Sequence, residues 1–389
     1  MGETNSYFTD GNYGESYPKE SELSDKENGV PFLRGSNLRN GELIEDNANY
    51  ITKEKHAELT SGHLVEDDIV LAVRGSLGAL GYVKEENIDW NINSQLAVIR
   101  TDKSELSGKF LAQFLLSWRG QKELLSRNTG TALKQLPIKQ LKDVPVPIVN
   151  LDEQKEISAL FTSIDNLIAA TQDKIDALEQ AKRALLQRLF DQSWRFKGYS
   201  DPWEKRKLSE VTNLITKGTT PREKGGRGEV NFIKVENLSK NGNIFTTSKV
   251  SVSEHQGYLA RSILQENDIL FSIAGSLGRT AIVPKLVLPA NTNQALAIIR
   301  LSTGCVEFVA TYLSGEAIDR YIRRNPTVGA QPNISLTQVA SLQIDWPSLH
   351  EQEVISKLFA RVKDLIAATQ SRLSSLELLK KALLQDLFI

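Results

Sequence analysis

The sequence has 389 residues and carries 47 Lys+Arg against 48 Asp+Glu, a formal net charge of −1. This balance argues against a protein that coats nucleic acid non-specifically, and a single cysteine, Cys305, excludes an internal disulfide and a cysteine-rich zinc site. No apolar run is long enough to cross a bilayer and no signal-peptide pattern is present. We therefore expect a soluble cytoplasmic chain of two or more domains that makes no contact with a membrane.

Residues 1–149 are predicted to form a first globular domain of mixed α and β structure. Asp68–Val73 and Leu96–Arg100 are β-branched runs bounded by Gly, Asn and Asp, which is typical of strands, whereas Lys109–Ser126 has helical spacing. The region carries 17 Lys+Arg against 22 Asp+Glu. Any contact with DNA must therefore come from local clusters of basic residues.

Residues 150–190 are predicted to form one long helix. Pro145 and Pro147 precede it, and Asn150 stands three residues before Glu153, as in a capping box. Its apolar residues follow one another in steps of four and three, which indicates a coiled-coil seam. The seam consists of Ile157, Phe161, Ile164, Ile168, Ile175, Leu178, Leu185 and Leu189, interrupted by polar Thr171 and Lys182.

Residues 191–347 repeat the first domain at an offset of 200 positions, after a linker at 191–203. Asp68–Gly78 matches Asp268–Gly278, and Leu96–Arg100 matches Leu296–Arg300. Strands are predicted at Asn231–Val235, Asp268–Ile273 and Leu296–Arg300, and helical spacing occurs over Glu307–Arg324. This region carries 19 Lys+Arg against 14 Asp+Glu and is therefore basic.

Residues 348–389 repeat the long helix at an offset of 198 positions. Pro347 precedes it, and Ser348 and Glu351 repeat the capping-box spacing. The second seam consists of Ile355, Phe359, Val362, Ile366, Leu373, Leu376, Leu383 and Leu387, with Thr369 and Lys380 at the two polar positions. Two stripes of this length, about 60 Å each, are too long to be covered by their own domains.

The sequence therefore predicts an α+β fold with two tandem-duplicated α/β domains separated by two long helices. The helices are expected to form an antiparallel coiled coil with pseudo-two-fold symmetry, in which Thr171, Lys182, Thr369 and Lys380 set the register. One difference between the halves concerns Trp203–Val211, a strand-like segment whose counterpart would lie at or before Met1–Gly11. Either the N-terminus is shortened relative to the duplication, or this segment has diverged.

Motifs for catalysis are missing from the sequence. There is no phosphate-binding loop, and Asn325-Pro326-Thr327-Val328 lacks the second proline and the aromatic residue of an amino-methyltransferase motif. The carboxylates are not clustered as in a nuclease metal site, and the four histidines show no metal-binding spacing. We therefore expect no catalytic residue and no metal site.

Contact with DNA bases favours Arg, Lys, Asn or Gln on short segments that fit a groove. The candidates of the first domain are Arg34, Asn37, Arg39, Arg74 and Ser76, and those of the second are Lys217, Arg222, Lys224, Arg227, Lys234, Asn237, Ser276, Arg279, Arg323 and Arg324. The glycines at 75, 78, 275 and 278 form either tight turns or cradles for phosphate. Asn93 and Asn293 equally suit turns or base contacts.

This pattern resembles the specificity (S) subunit of type I restriction-modification systems. The residues that carry the resemblance are Val30–Arg34 with Asn37-Leu38, Asp68–Val70, the two Gly-Ser-Leu-Gly turns, and Glu-Gln-x-x-Ile at Glu153–Ile157 and Glu351–Ile355. Together with the duplicated domain-plus-helix plan, they cover nearly the entire chain.

The resemblance implies that each globular domain is a target-recognition domain that reads one half of a split site on double-stranded DNA. It implies that the helix pair sets the spacing and docks two modification (methyltransferase) subunits, which carry S-adenosylmethionine. Restriction subunits that use ATP and Mg²⁺ would join the full complex. This chain itself would bind no cofactor and have no catalytic activity.

Three hypotheses follow from the sequence. The leading one is a DNA-recognition subunit without activity of its own. The others are an enzyme with unrecognised motifs, and a DNA-reading or coiled-coil scaffold module of another multisubunit DNA-modifying or defence complex. Exchange of residues 1–149 for another such domain distinguishes them, because it changes half of the recognised site only if the domain reads DNA.

Overall fold

The computed structural model of the chain describes residues 1–131, 133–222, 228–239, 241–324 and 333–388. They form two compact units, Met1–Gln172 with Ser371–Ile389, and Asp173–Gln370. Each unit therefore combines one globular domain with a part of each long helix, and the predicted α+β class is confirmed. No helix in the described ranges is long and apolar enough to span a membrane.

In its described residues the first domain contains ten short strands and four α-helices. The strands are β1 (Tyr7–Asp10), β2 (Leu23–Ser24), β3 (Val30–Leu33), β4 (Leu38–Arg39), β5 (Glu42–Leu43), β6 (Asn49–Ile51), β7 (Ile69–Ala72), β8 (Leu80–Tyr82), β9 (Asn91–Ile92) and β10 (Leu96–Arg100). The helices are α1 (Lys53–Glu58), α2 (Gly108–Leu116), α3 (Trp118–Ser126) and α4 (Ile138–Lys142). The predicted helical segment at 109–126 is thus two helices, because Ser117 accepts a hydrogen bond from the Gly120 N–H and caps the second.

An antiparallel sheet in the order β1-β10-β7-β8 forms the centre of this domain. Side chains of a strand alternate between its faces, so Ile69 and Leu71 enter one core with α2 and α3, while Val70 and Ala72 enter a second core on the other face. Both faces are covered, and this explains why the strand is a continuous apolar run. A second sheet, β2-β6-β3-β9, and the β4–β5 hairpin complete the domain.

The second domain repeats this arrangement. Its strands are β11 (Glu204–Lys207), β12 (Thr212–Lys217), β13 (Val230–Ile233), β14 (Ser248–Val250), β15 (Ile269–Ser272), β16 (Thr280–Ile282), β17 (Ala290–Thr292), β18 (Leu296–Leu301) and β19 (Gln343–Trp346). Its helices are α6 (Val252–Gln256), α7 (Val306–Leu313), α8 (Glu316–Arg324) and α9 (Leu336–Ser341). The central sheet β12-β18-β15-β16 matches that of the first domain strand for strand.

The segment that the two halves do not share is the β11–β19 pair, for which the described residues show no counterpart in the first domain. In the second domain, Leu208 N–H donates to the Leu342 carbonyl just after β11. At the equivalent place Gly2 N–H donates to Lys142 O, and the Met1 amino group donates to Val144 O at 2.7 Å. Strand β1 then takes the place of β12, so the polar opening of the sequence nevertheless contains a strand.

A buried ion pair holds the two central strands of each domain together. Asp68 is fully buried, and its two carboxylate oxygens accept hydrogen bonds from Nε and Nη2 of Arg100, both at 2.8 Å. Asp268 and Arg300 repeat the same two bonds at 2.7 and 2.8 Å. The hydrogen bonds to the carboxylate raise the pKa of each arginine above its usual value, and the two parallel bonds are the geometry in which arginine binds a carboxylate most strongly.

The long helices are α5 (Leu151–Phe190) and α10 (Leu349–Asp386). A glutamine in the first turn attaches each of them to its domain. The Gln154 side chain accepts from Ser107 N–H at 2.8 Å and donates to Glu105 O at 2.9 Å. Gln352 accepts from Cys305 N–H at 2.9 Å in the same way. The glutamine of the Glu-Gln-x-x-Ile motif is thus a docking residue.

The predicted capping boxes at the starts of α5 and α10 are correct for the N-cap residues but not for the Glu351 side chain. Asn150 Oδ1 accepts from Glu153 N–H at 2.9 Å and Ser348 Oγ accepts from Glu351 N–H at 3.3 Å, as predicted for N-caps. The Glu351 carboxylate, however, is buried and accepts from Arg195 and from Trp203 Nε1 instead. The segment predicted as a linker therefore folds back onto the start of α10.

Within each unit the long helices pack antiparallel along the predicted seam. In the first unit Phe161 is fully buried beside Phe388, and Asp165 pairs with Lys380 at 2.5 Å. The second unit has Leu189 with Ile355 in its core. All sixteen apolar seam residues are buried or half-buried except Leu387, which is exposed and lies beyond the end of α10.

Leu387 is therefore wrong as a seam residue, and Phe388 takes its place in the core. Phe388 contacts Phe110 and Phe114 of α2 as well as Phe161. At the end of α5, Phe190 contacts Phe308 of α7 in the corresponding way. Each long helix thus begins in one unit and ends in the other, where Phe190 at the end of α5 packs against one core and Phe388, two residues after α10, lies in the other core.

The polar seam residues differ in what they do. Thr171 and Thr369 are buried, and each hydroxyl donates to a carbonyl four residues earlier in its own helix, so neither needs a partner across the seam. Lys380 has its Asp165 partner. The equivalent Lys182 has Glu179 of its own helix at 3.9 Å, and Lys363 stands at the position equivalent to Asp165. Desolvation and the Lys182 charge together lower the pKa of Lys363. A register function fits Lys380 only.

Replacing Lys363 with Glu should stabilise the chain, because it turns the repulsion from Lys182 into an attraction like that of Asp165 and Lys380. We expect a gain of about 0.5–1 kcal/mol, the usual size for a partly exposed ion pair, seen as a higher midpoint of thermal unfolding. Arg372→Glu, an exposed change of equal charge on the same helix with no charged residue three or four positions away, should give no such gain. If both changes shifted the midpoint of thermal unfolding equally, the expected ion pair between Lys182 and the new carboxylate at position 363 would be disproved.

Replacing Arg100 with Met should destabilise the first domain by about 3 kcal/mol, since it leaves the buried Asp68 carboxylate without its countercharge. Urea unfolding followed by circular dichroism measures the loss as a lower midpoint. Arg39→Met, at an exposed arginine, is the control and should change stability by less than about 0.5 kcal/mol. A loss below that size for Arg100→Met would show that the pair is dispensable.

Candidate nucleic-acid interface

Three loops of the first domain meet at one end of its central sheet. They are Arg34–Ser36 after β3, Arg74–Ser76 after β7, and Ser94–Gln95 before β10, and we name them the first loop cluster. Gly35 N–H donates to Gln95 Oε1 at 3.2 Å, and the Arg74 guanidinium donates to Ser94 O at 3.1 Å. Candidates that lie 40 residues apart in the sequence, Arg34 and Arg74, are thus brought to one place.

The first loop cluster presents polar side chains to solvent. Arg74, Ser76 and Gln95 are exposed, and Arg34 is half-buried and donates to Asn47 O at 3.0 Å. Asp10 lies close enough that the charge of Arg74 partly opposes the rise in its pKa, a rise caused by burial. The cluster therefore offers guanidinium and carboxamide groups, which bind phosphate and base edges, within a domain that is acidic overall.

Glycine makes the turn after β7 possible. Gly75 and Gly78 have φ angles of +75° and +83°, a left-handed conformation that other residues rarely adopt. A Cβ atom at Gly75 would meet no atom within 4 Å, and Gly275 has the same conformation and the same open surroundings. The turns are tight, as one interpretation predicted, and a ligand can approach their backbone.

Asn37 and Asn237 are placed differently from what the sequence suggested. Asn37 is fully buried, its Oδ1 accepts from Arg34 N–H, and its Nδ2 donates to Ile44 O and Asp46 O. Asn237 accepts from Lys234 N–H and donates to Thr247 Oγ1. Both side chains are buried and hydrogen-bonded within their own loops, so we interpret them as braces of these loops instead of DNA contacts.

A second loop cluster occupies the same end of the second domain. It comprises residues 218–220 after β12, 234–236 after β13, 274–276 after β15 and 293–295 before β18. Asn293 N–H donates to Ile233 O at 3.3 Å, Ile273 N–H donates to Ala295 O at 2.8 Å, and Thr220 Oγ1 donates to Gln294 Oε1. Lys234 and Ser276 belong to this cluster, and the exposed Lys217 borders it.

Two arginine candidates of the second domain already have partners. Arg279 donates to Leu238 O at 3.0 Å, which ties the turn after β15 to the loop after β13. The Arg222 guanidinium lies 3.9 Å from the centre of the Tyr258 ring, a cation–π contact. Arg279 therefore holds these two loops together, whereas Arg222 packs on the Tyr258 ring.

Three further candidates in the described residues are exposed arginines. Arg39 is exposed on the β4–β5 hairpin, and Arg323 and Arg324 are exposed at the end of α8. Lys224 and Arg227 fall outside the described residues. Asn93 and Asn293 accept from the backbone N–H two residues later, at 3.0 and 3.2 Å, so the turn interpretation holds for both.

Sequence reasoning missed the two glutamines of the clusters. Gln95 and Gln294 are exposed, and each has its Oε1 held by a neighbouring loop. Held in this way, a carboxamide is oriented before it meets a base, and Gln pairs in bidentate fashion with adenine. The available signal was their position, one or two residues after the repeated Asn93 and Asn293.

The chain is similar to known proteins over most of its length. The chain matches the family described as the type I restriction modification DNA specificity domain twice, over residues 12–180 and 200–378. The type I restriction enzyme MjaVIII specificity subunit of Methanocaldococcus jannaschii is 20% identical over 371 residues, which is 91% of this chain and 84% of that protein. A protein of the same organism designated MjaX is 25% identical over 381 residues, 92% of this chain and 85% of its own length.

A solved structure shares the fold. The type I restriction-modification S subunit from M. genitalium superposes with a TM-score of 0.59 at 15% identity, over 99% of this chain and 94% of that chain. The duplicated domains agree with the two family matches, and the chain belongs to the family of type I restriction-modification DNA specificity subunits.

Proposed function

We propose that this chain reads a bipartite site on double-stranded DNA, with one loop cluster on each half of the site. The observation that carries the proposal is the contrast between the two clusters. The buried Asn37 and Asn237 repeat at the offset of 200, whereas the loop positions around them differ: Arg74 is matched by Ala274, Ser94 by Gln294, and Gln95 by Ala295. A common frame with different exposed groups is what reading two different half-sites requires.

The chain acts without catalysis of its own and in a complex. Two modification subunits that carry S-adenosylmethionine dock along the helix pair and methylate the site, and restriction subunits that use ATP and Mg²⁺ join for cleavage. The family match and the continuous seams of α5 and α10 support this assignment. The helix pair also determines the distance between the half-sites, because its length is fixed by hydrogen bonding at about 1.5 Å per residue.

The purified chain alone should not transfer methyl groups from S-adenosylmethionine to DNA, while the chain with its modification subunit should methylate a specific site. Incorporation of labelled methyl groups into genomic DNA of a strain lacking the system measures both. Specific methylation by the isolated chain would contradict the proposal.

Gln95→Ala should reduce discrimination in one half of the site by about 1–3 kcal/mol for the affected base, because a bidentate contact is lost. Gln294→Ala should do so in the other half only. Methylation by the reconstituted complex of duplex libraries randomised in one half-site at a time measures the change. The control is Lys103→Ala, an exposed residue outside the clusters, which should leave both halves unchanged, and an effect of either glutamine on both halves would contradict separate reading.

Insertion of one heptad into each long helix, after Thr171 and after Thr369, should lengthen the spacer and leave both half-site sequences unchanged. Seven residues add about 10 Å, which corresponds to about three base pairs at 3.4 Å each. Mapping of methylated sites in cells carrying the altered chain gives the spacer directly. If the half-site bases changed instead, the helices would not determine the spacing.

A further inference from the structure

Two histidines and an aspartate of the first domain converge on one point outside the loop cluster. His56 lies on α1, His63 lies in the loop between α1 and β7, and Asp89 lies in the turn between β8 and β9. One ring nitrogen from each histidine and one carboxylate oxygen lie within 4.8 Å of one another. Asp89 Oδ1 is 3.0 Å from His63 Nδ1 and 3.2 Å from His56 Nε2.

The tautomer of His63 is fixed by its other nitrogen. Nε2 lies 2.8 Å from the Leu59 carbonyl oxygen, which only accepts, so Nε2 carries a hydrogen. In the neutral ring Nδ1 is then a lone pair that points at Asp89 Oδ1 from 3.0 Å. Both atoms thus present lone pairs to the same place, which is the arrangement that a bound cation uses. A backbone carbonyl on the distal nitrogen is also how proteins orient metal-binding histidines.

His56 provides a second, independent observation. Its side chain is 9% exposed, and among the described residues neither ring nitrogen makes a hydrogen bond. A buried polar ring without hydrogen bonds is rare because burial removes its water. A nitrogen that binds a metal needs no hydrogen bond, and Nε2 already faces the shared carboxylate oxygen.

The backbone holds these three residues in place. Thr52 Oγ1 accepts from Lys55 N–H and caps α1, Asp89 N–H donates to Leu64 O at 2.8 Å, and Arg100 Nη2 donates to His63 O at 3.2 Å. The second domain has Gln256, Ile263 and Pro289 at the equivalent positions, so the fold does not require the trio.

We propose that His56, His63 and Asp89 bind a divalent transition-metal ion, with Zn²⁺ the best fit to two imidazole nitrogens and one carboxylate oxygen. Three protein ligands leave a fourth tetrahedral position for water, and the exposed side of Asp89 makes the site accessible. The bound ion clamps the loop after α1 to the turn before β9. It also places a positive charge on the acidic domain of the chain.

The test uses the full-length untagged chain, freed of metal by EDTA and dialysis. Titration with Zn²⁺ in a calorimeter should show one site, and Co²⁺ should give the visible absorption of a tetrahedral complex. Asp89→Asn and His63→Gln should each weaken binding by more than the roughly 10- to 100-fold that changes in supporting residues cost. His255→Ala, a histidine of the second domain beside Asn291, should bind as the unaltered chain does.

A stability measurement separates loss of the site from loss of the fold. Zn²⁺ should raise the midpoint of thermal unfolding of the unaltered chain and of His255→Ala, and should leave that of Asp89→Asn unchanged while its circular dichroism spectrum stays native. The absence of saturable Zn²⁺ and Co²⁺ binding would overturn the proposal. Equal binding by Asp89→Asn and by the unaltered chain would overturn it as well.

Discussion

The ion pair between a fully buried aspartate and a strand arginine is the interaction on which the recognition end of each domain depends. In the first domain Asp68 precedes β7 and Arg100 ends β10, so the pair fixes these antiparallel strands at one end. Arg74 and Gln95 follow and precede the same strands at the other end. A carboxylate without water must keep its partner, and the register of the two strands, and with it the meeting of the loops, is therefore fixed from within the core.

The separation of buried groups that hold the loops from exposed groups that face solvent explains how the same domain fold can recognise two different DNA half-sites. The buried groups that hold the loops, such as Asn37 and Asn237, make their hydrogen bonds to residues of their own domain, and they occur in both domains. The exposed groups make few internal bonds, so exchanging them costs the fold little. A change in the target sequence can therefore arise at the surface of a cluster without a change in the core beneath it.

Much of the fold was predictable because it depends on local patterns. The central strands are apolar runs buried on both faces, and the helix seams follow the heptad spacing. What could not be predicted depends on partners distant in sequence. The Glu351 carboxylate accepts hydrogen bonds from Arg195 and Trp203 instead of completing the capping box, and Phe388 is buried in the core where Leu387 was predicted. The same holds for the loop clusters, because no local sequence pattern predicts the burial of Asn37 or the contact of its loop with Gln95.

The position of Phe388 has a consequence for synthesis of the chain. The first domain is translated early, but the aromatic cluster of Phe110, Phe114 and Phe161 is completed only by Phe388, which leaves the ribosome after the entire second domain. Until then the apolar surface of that cluster stays uncovered, and exposed apolar surface on a nascent chain invites association with chaperones or with other chains. The first domain is therefore translated first, but packing of its aromatic cluster is complete only after the last helix has been synthesised.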